Sequence, residues 1–172
     1  MTRRSVTIAL LLLLVVASRV GAFNEPDGFR GVPWGATEEQ MRSSVSIERA
    51  CSDRPASQRW LGDRTCPAIF DLAGVTVSAT YTFRAGRFVS VFLKFPSKNH
   101  ERVAEIFSER YGEPTTRTTD SLAWIGTKAM VSLHRYRPSV PGEGFATLST
   151  ADEVKESARL RREQTKGAAK GL

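Results

Sequence analysis

The residues of this chain best suited to acid–base chemistry are its two histidines, His100 and His134. His134 and Tyr136 alternate along a predicted strand, so they would share one of its faces beside a basic loop. A solvated strand end is the alternative interpretation of that pair. His100 lies in the first turn of a predicted helix, where an exposed histidine with no chemical role is the simpler expectation. Neither histidine therefore defines an active site by its position in the sequence.

Carboxylates are the second candidate, because Glu101, Glu105 and Glu109 recur every four residues and would line one helix face. Paired carboxylates can act as general acid and base, but the same spacing is typical of a solvated helix surface. The chain contains no Gly-x-Ser-x-Gly, Ser-x-x-Lys or His-Glu-x-x-His motif, and no glycine pattern for a nucleotide. We therefore expect no catalytic residues, no metal and no cofactor, and the sequence favours a protein that is not an enzyme.

The only cysteines of the chain are Cys51 and Cys66. Neither belongs to a Cys-x-x-Cys pair and neither histidine lies at a ligand spacing from them, although a reactive thiol and half of a metal site are the alternatives to a disulfide. An exported chain reaches a compartment in which such a pair oxidises. We predict a disulfide that closes a loop of about 15 residues and adds about 3 kcal/mol to the free energy of unfolding.

One candidate binding element lies inside that loop. Arg59, Trp60 and Leu61 interrupt an otherwise polar segment, with Arg54 on one side and Arg64 on the other. Tryptophan and arginine are enriched among the residues that dominate protein–protein binding energies. The loop therefore predicts a protein-binding site, and the alternative is that Trp60 and Leu61 fold inward to cover one end of the sheet.

A second candidate binding element is basic. Its residues occur at predicted strand ends and turns, and they are Arg84, Arg87, Lys94, Lys128, Arg135 and Arg137. Such a patch could attract an acidic protein surface, an anionic envelope polymer or a lipid headgroup. Scattered surface charges are the alternative interpretation. Nucleic acid is disfavoured, because the chain carries an export signal and no recognised nucleic-acid-binding module.

An antiparallel sheet is the element that would position these residues. Apolar residues alternate with threonine and serine from 75 to 83, which predicts a strand with one buried face. In the strand that follows, Val89 and Val91 would share the buried face, with Phe88 and Phe92 on the other. Six strands are predicted, at 66 to 71, 75 to 83, 87 to 95, 116 to 125, 128 to 136 and 145 to 150.

Helices are predicted before each group of three strands and after the last strand. Thr37-Glu38-Glu39-Gln40 has the pattern of a capping box that begins a short helix. Helical spacing of apolar residues predicts a second helix that ends near Gly112. Residues 151 to 166 predict a polar helix, and 167 to 172 are expected to be disordered. The predicted fold is α+β, an antiparallel sheet of about six strands with helices packed on one face, in the order helix, three strands, helix, three strands, tail helix.

The N-terminus has the pattern of an export signal at residues 1 to 22. A short basic start precedes an unbroken apolar run from 8 to 17, and Val20-Gly21-Ala22 supplies small residues for cleavage. The run is half the length needed to span a membrane. We expect cleavage near Ala22, a single domain at 23 to 150 and a polar tail at 151 to 172. The processed protein, with 22 basic and 18 acidic residues and a net charge of about +4, would be periplasmic or secreted and have no membrane span.

Three segments of the chain carry a resemblance. Phe29-Arg30-Gly31-Val32-Pro33-Trp34-Gly35, followed by Tyr111-Gly112-Glu113-Pro114 and Trp124-Ile125-Gly126, resembles a broad group of uncharacterised bacterial exported proteins. The order of elements also resembles small periplasmic modules of the outer-membrane-assembly and lactamase-inhibitor type. The resemblance covers most of the chain after residue 22 and implies a domain that binds other proteins. The lipid-attachment cysteine common among the assembly modules is absent here.

These observations predict an exported, non-catalytic module that binds another macromolecule of the envelope, first of all a protein. The alternatives are a periplasmic hydrolase with a site assembled from residues far apart in sequence, and a carrier of an anionic ligand. A binding module should expose an apolar patch, whereas an enzyme needs a concave pocket that collects histidines, tyrosines or acids.

Overall fold

A computed structural model describes residues 23 to 169 of the chain. The predicted export signal, residues 1 to 22, lies outside the described residues, as do the last three residues. Within the described range the fold is α+β, as predicted, with a large antiparallel sheet, a small hairpin and a long C-terminal helix. No helix between residues 23 and 169 is both long and apolar enough to cross a membrane.

The strands form a two-stranded hairpin and one main sheet. The hairpin consists of β1 (Gly28–Phe29) and β2 (Val32–Pro33). The main sheet contains, in chain order, β3 (Ser52–Asp53), β4 (Arg64–Leu72), β5 (Val75–Arg84), β6 (Arg87–Pro96), β7 (Thr116–Arg117), β8 (Ser121–Ile125), β9 (Ala129–His134) and β10 (Glu143–Thr150). Across the sheet the order is β3-β4-β5-β6-β10-β9-β8-β7, and all neighbours are antiparallel.

The helices are α1 (Glu38–Arg42), α2 (His100–Tyr111) and α3 (Ala151–Ala169), with 3-10 helices at Ala56–Leu61 and Ser97–Asn99. The predicted capping box at the start of α1 is confirmed. Thr37 Oγ1 accepts from the Gln40 backbone N–H at 3.3 Å, and the Thr37 N–H donates to the Gln40 side chain at 2.9 Å. The second helix ends at Gly112, as predicted, where a φ of 83° favours glycine.

The prediction of about six strands was wrong, because the main sheet has eight. The two additional strands, β3 and β7, contain two residues each and form the two edges of the sheet. A two-residue strand is too short to show an alternating pattern in the sequence. The predicted strand at 116 to 125 is divided, because the Thr118 hydroxyl accepts from the Ser121 backbone N–H and forms a turn there.

The strand order is symmetrical about the central pair, β6 and β10. A helix, a two-residue strand and a three-stranded meander make up each half, and the last strands of the two meanders pair with each other. Sequence reasoning found the matching order of elements in the two halves but not how the halves meet. Both meanders contribute residues to the same two faces of the sheet.

One face of the sheet, called here the core face, is buried. Trp124 of β8 packs there against Phe107 and Tyr111 of α2 as a buried aromatic group. The predicted faces of β6 were partly wrong, because Phe88 is fully buried on the core face. A register irregularity at Thr82 and Phe83 shifts the alternation between β5 and β6, and Phe88 pairs with Phe83. The core face is therefore continuous to the end of the hairpin that β5 and β6 form.

The N-terminal hairpin covers part of this core. Phe29 lies between the rings of Phe70 and Tyr81, at centroid distances of 5.8 and 6.0 Å. Trp34 packs on Phe88 at 4.8 Å, and its Nε1–H donates to the Pro26 carbonyl at 2.8 Å. The aromatic and glycine-rich segment on which the resemblance rests is therefore a packing element of the core.

The helices do not all pack on one face of the sheet, which corrects the predicted layout. Met41 of α1 and Val103 of α2 are buried in the core. The 3-10 helix Ala56–Leu61 instead lies over the opposite face, where Thr82 is buried, and α3 packs along this 3-10 helix. The helix α3 also continues to Ala169, past the predicted end at residue 166.

The predicted disulfide between Cys51 and Cys66 is confirmed. Cys66 is fully buried on β4 and Cys51 is buried immediately before β3. The bond therefore fixes the start of the segment from 51 to 64 to the edge of the main sheet. That segment contains the 3-10 helix that lies over the sheet.

Candidate binding site

The candidate site lies on the face of the main sheet opposite the core, called here the open face. Side chains of directly paired residues on neighbouring strands share a face. One such row runs Thr80, Phe92, Thr147 across β5, β6 and β10. The next row runs Ser78, Lys94, Phe145 and His134, and reaches β9. The open face therefore combines hydroxyls with aromatic rings and a central cation.

A cavity of about 560 Å³ lies on this face and is called here the open-face groove. Its volume falls within the range of about 300–1,000 Å³ that is usual for ligand sites. Five hydroxyl side chains form much of its floor: Thr65, Thr80, Thr82, Ser90 and Thr147. Leu61 and Phe92 supply the apolar lining, and Arg54, Lys94 and Arg137 supply three positive charges. No carboxylate is among the described residues that line this groove.

Three neighbouring rings form the aromatic part of the face. The His134 imidazole lies parallel to the Phe145 ring, with a centroid distance of 4.5 Å. Phe145 is 5.6 Å from Phe92, and the Arg137 guanidinium lies 5.7 Å from the centroid of Phe92 on the other side. Burial lowers the pKa of His134 below its ordinary value of 6.5, so this imidazole is neutral at pH 7.

The three cations of the groove differ in their partners. Arg137 Nη1 donates to Glu143 at 2.7 Å, and this acid lies in an adjoining cavity. The Nε atom of Arg54 is buried and has no hydrogen-bond partner among the described residues. Burial also lowers the pKa of Arg54. Lys94 forms no ion pair with any acid in residues 23 to 169.

The loop predicted to bind a protein contributes Leu61 and its flanking residue Arg54 to this groove. Leu61 lines the groove and is 38% exposed. Trp60 is half-buried, with the Arg161 guanidinium of α3 at 5.4 Å from its ring centroid. Arg59 is exposed, and its backbone carbonyl accepts from Arg84 at 3.1 Å. The 3-10 helix of the loop therefore packs against α3, and Leu61 is the residue of this helix that lines the groove.

The remaining predicted binding residues separate into those near the groove and those held elsewhere. Arg137 lines the groove. Arg64 instead binds Glu38 at 2.7 Å and Asp53 at 2.8 Å, and its hydrogen bond lowers the pKa of Glu38. Arg135 forms ion pairs with Glu101 and Asp120, outside the groove lining.

Arg84 is the member of the predicted basic patch with the most extensive internal contacts. Its guanidinium binds both carboxylate oxygens of Glu153, at 2.6 and 2.8 Å, and the backbone carbonyls of Arg59 and Trp60. These contacts raise the pKa of Arg84 further. Its charge is therefore neutralised inside the fold and does not belong to the surface patch.

Sequence reasoning did not assign Arg54, Phe92, Lys94 or Phe145 to a binding site together. From the sequence, Phe92 was placed on the face of β6 opposite the buried one, Arg54 beside the candidate loop and Lys94 in the basic patch, each as a separate observation. The convergence of these residues depends on the pairing of β6 with β10 and on the path of the loop from 51 to 64. These are long-range relationships that a local pattern does not contain.

The residues considered for catalysis do not meet in this groove. His100 is buried beneath α2, and neither of its ring nitrogens has a hydrogen-bond partner among the described residues. Tyr136 is 57% exposed, away from the groove lining. The donor atoms of Glu38, Cys51 and Cys66 lie within 4.8 Å of one another. The two sulfurs are joined in the disulfide, and the Glu38 carboxylate accepts from two arginines.

Comparison with known proteins gave no match to a family model, to a curated protein or to a solved structure.

Proposed function

We propose that this chain is an exported, non-catalytic binding module, and that its open-face groove engages a protein of the cell envelope or of the secreted fraction. The observation that carries the proposal is the half-exposed aromatic cluster of His134, Phe145 and Phe92 on the open face, of which Phe92 lines the groove together with Arg137. Aromatic residues and arginine are the side chains most enriched in the energetically dominant parts of protein interfaces.

The chemical character of the groove supports binding. Its hydroxyls can donate and accept hydrogen bonds, its cations can bind carboxylates, and its apolar residues lose exposed surface when covered. The hydroxyls, Phe92 and Lys94 stand on strands of one continuous sheet, so their spacing is fixed before a partner arrives. A preorganised surface loses little conformational entropy on binding.

The proposal is tested by filling the groove without disturbing the core. Thr147→Trp places a large ring on the groove floor, and tryptophan is favoured in strands. Glu109→Trp adds the same ring at an exposed position of α2, outside the groove, and is the matched control. Each protein, expressed as the full chain in its own organism and purified gently, would be measured by native mass spectrometry.

We expect a retained protein partner with the parent chain and with Glu109→Trp, and its loss with Thr147→Trp. Retention of the partner by Thr147→Trp would contradict the proposal. A bare monomer in the spectrum of the parent chain would also contradict the proposal. So would a small-molecule adduct without a protein partner, which would instead favour an anion carrier or an enzyme. The denatured intact mass reports removal of residues 1 to 22 and so tests export separately.

A further inference from the structure

The open-face groove carries an excess of positive charge that the fold does not use. Three cations line the groove, and one carboxylate, Glu143, pairs with Arg137 from the adjoining cavity. Arg64 and Arg84, which come from neighbouring parts of the sheet, are fully engaged by acids of this chain. Arg54 and Lys94, by contrast, form no ion pair with an acid in residues 23 to 169.

Lys94 occupies the centre of this surface. It stands on β6 between Ser78 of β5 and Phe145 of β10, and it lines both the groove and an adjoining cavity of about 350 Å³. An ammonium group in the middle of a sheet face, flanked by a hydroxyl and an aromatic ring, offers an accessible positive charge. A carboxylate bound there would reach both cavities.

Arg54 supplies the second independent observation. Arg54 lines the groove and forms no ion pair with an acid in residues 23 to 169, and its buried Nε–H has no acceptor among the described residues. The guanidinium can also bind a carboxylate through two parallel hydrogen bonds.

The apolar lining distinguishes among anionic occupants. Leu61 and Phe92 face the same groove as the cations. A bare anionic polymer has charge but little apolar surface to bury against them, whereas an acidic stretch of polypeptide offers carboxylates and apolar side chains together. Resting on the proposed function, we infer that the open-face groove binds an acidic polypeptide segment of the partner, whose carboxylates pair with Arg54 and Lys94.

A phage-displayed library of random 12-residue peptides, selected on the intact protein, tests this inference. We expect the selected peptides to be enriched in Asp and Glu, with at least one apolar residue among them. A synthetic copy of the most frequent peptide should bind at least tenfold more weakly to Lys94→Gln and to Arg54→Gln. Lys155→Gln removes an exposed lysine of α3 outside the groove and should leave the affinity unchanged.

Several results would overturn the inference. The selection could yield neutral or basic peptides, or no peptide at all. The groove variants could bind the peptide with the same affinity as the control, or the protein could bind polyphosphate or anionic-lipid vesicles in place of the peptide. Circular dichroism of each variant verifies that it is folded. If Thr147→Trp removes a native partner while the peptide test fails, the proposed function stands and only the acidic nature of the bound segment is wrong.

Discussion

Arg84 and Glu153 form a bidentate ion pair that joins β5 to α3, with Nε–Oε2 and Nη2–Oε1 distances of 2.6 and 2.8 Å. Glu153 is the one buried residue of α3 in the described part of the chain. The same guanidinium donates to the carbonyls of Arg59 and Trp60 in the 3-10 helix. This single arginine of β5 is therefore bound to both α3 and the 3-10 helix Ala56–Leu61.

Removing the acid from this pair should loosen α3 and the loop together. Glu153→Gln leaves the half-buried Arg84 charge without its counter-charge, and we expect a loss of about 3 kcal/mol in the free energy of unfolding. Urea denaturation measures the loss, and hydrogen exchange should show reduced protection of α3 before the core strands unfold.

The matched control for that variant is Glu163→Gln, on the same helix. Glu163 pairs with Arg159 in an exposed ion pair, so its loss should change the free energy of unfolding by less than about 0.5 kcal/mol. Equal effects of the two substitutions would contradict the assigned role of Glu153.

The close approach of the 3-10 helix to the sheet makes Gly62 sensitive to substitution. Its φ is 105°, and a Cβ atom there would lie 2.3 Å from the Thr82 Cγ2 atom. Gly62→Ala should displace the 3-10 helix from the open face. Gly74→Ala is the control, because Gly74 has a similar φ of 86° and no atom lies within 4 Å of the added carbon. It therefore measures the backbone cost alone, about 1–2 kcal/mol.

We expect Gly62→Ala to lower the free energy of unfolding by at least about 1 kcal/mol more than Gly74→Ala, because a steric conflict is added to the same backbone cost. Paired urea denaturation curves would measure the difference. Equal losses would mean that the 3-10 helix does not rest on Thr82.

Much of the secondary structure could be predicted, because its signals are local. The capping box at Thr37, the helix that ends at Gly112 and the disulfide between Cys51 and Cys66 each depend on nearby residue types or on a single pair. The buried position of Phe88 could not be predicted, because the irregularity beside Phe83 reverses the expected alternation of buried and exposed residues. Such an irregularity leaves no periodic signal.

The candidate site was less predictable than the fold. Leu61 and Arg137 were identified from the sequence and do line the groove. Arg84 was grouped with surface cations, although its acid, Glu153, lies 69 residues further along the chain. Composition shows that a cation is present, whereas its neutralisation depends on how α3 returns to the sheet.

Stability should fall as the pH falls through the ordinary titration range of histidine. Burial lowers the pKa of His100 below 6.5, with Arg135 acting in the same direction and the nearby carboxylates of Glu101 and Asp120 opposing it. Below about pH 6.5 the unfolded chain binds a proton that the folded chain does not, so folding weakens until the lowered pKa is reached. The lowered pKa of His134 also makes the protein less stable as the pH falls.

Thermal denaturation at about pH 7.5 and about pH 5 measures this dependence. We expect a smaller decrease in melting temperature for His100→Gln than for the parent protein, and the smallest decrease for the variant that also carries His134→Gln. Carboxylates whose pKa is lowered by folding, such as Glu38, change the stability only below about pH 4.5. They therefore do not affect the difference between these two pH values. An unchanged pH dependence in His100→Gln would show that His100 is not held neutral.

The central claim is that the open face of the sheet, and no other surface, meets a protein partner. A photo-reactive phenylalanine analogue at Thr147, on the groove floor, tests it most directly when compared with the same analogue at Glu109 on α2. Irradiation of cells that express each full-length variant should give a discrete cross-linked protein from position 147 and none from position 109. Cross-links of equal yield at both positions, or from position 109 alone, would contradict the account.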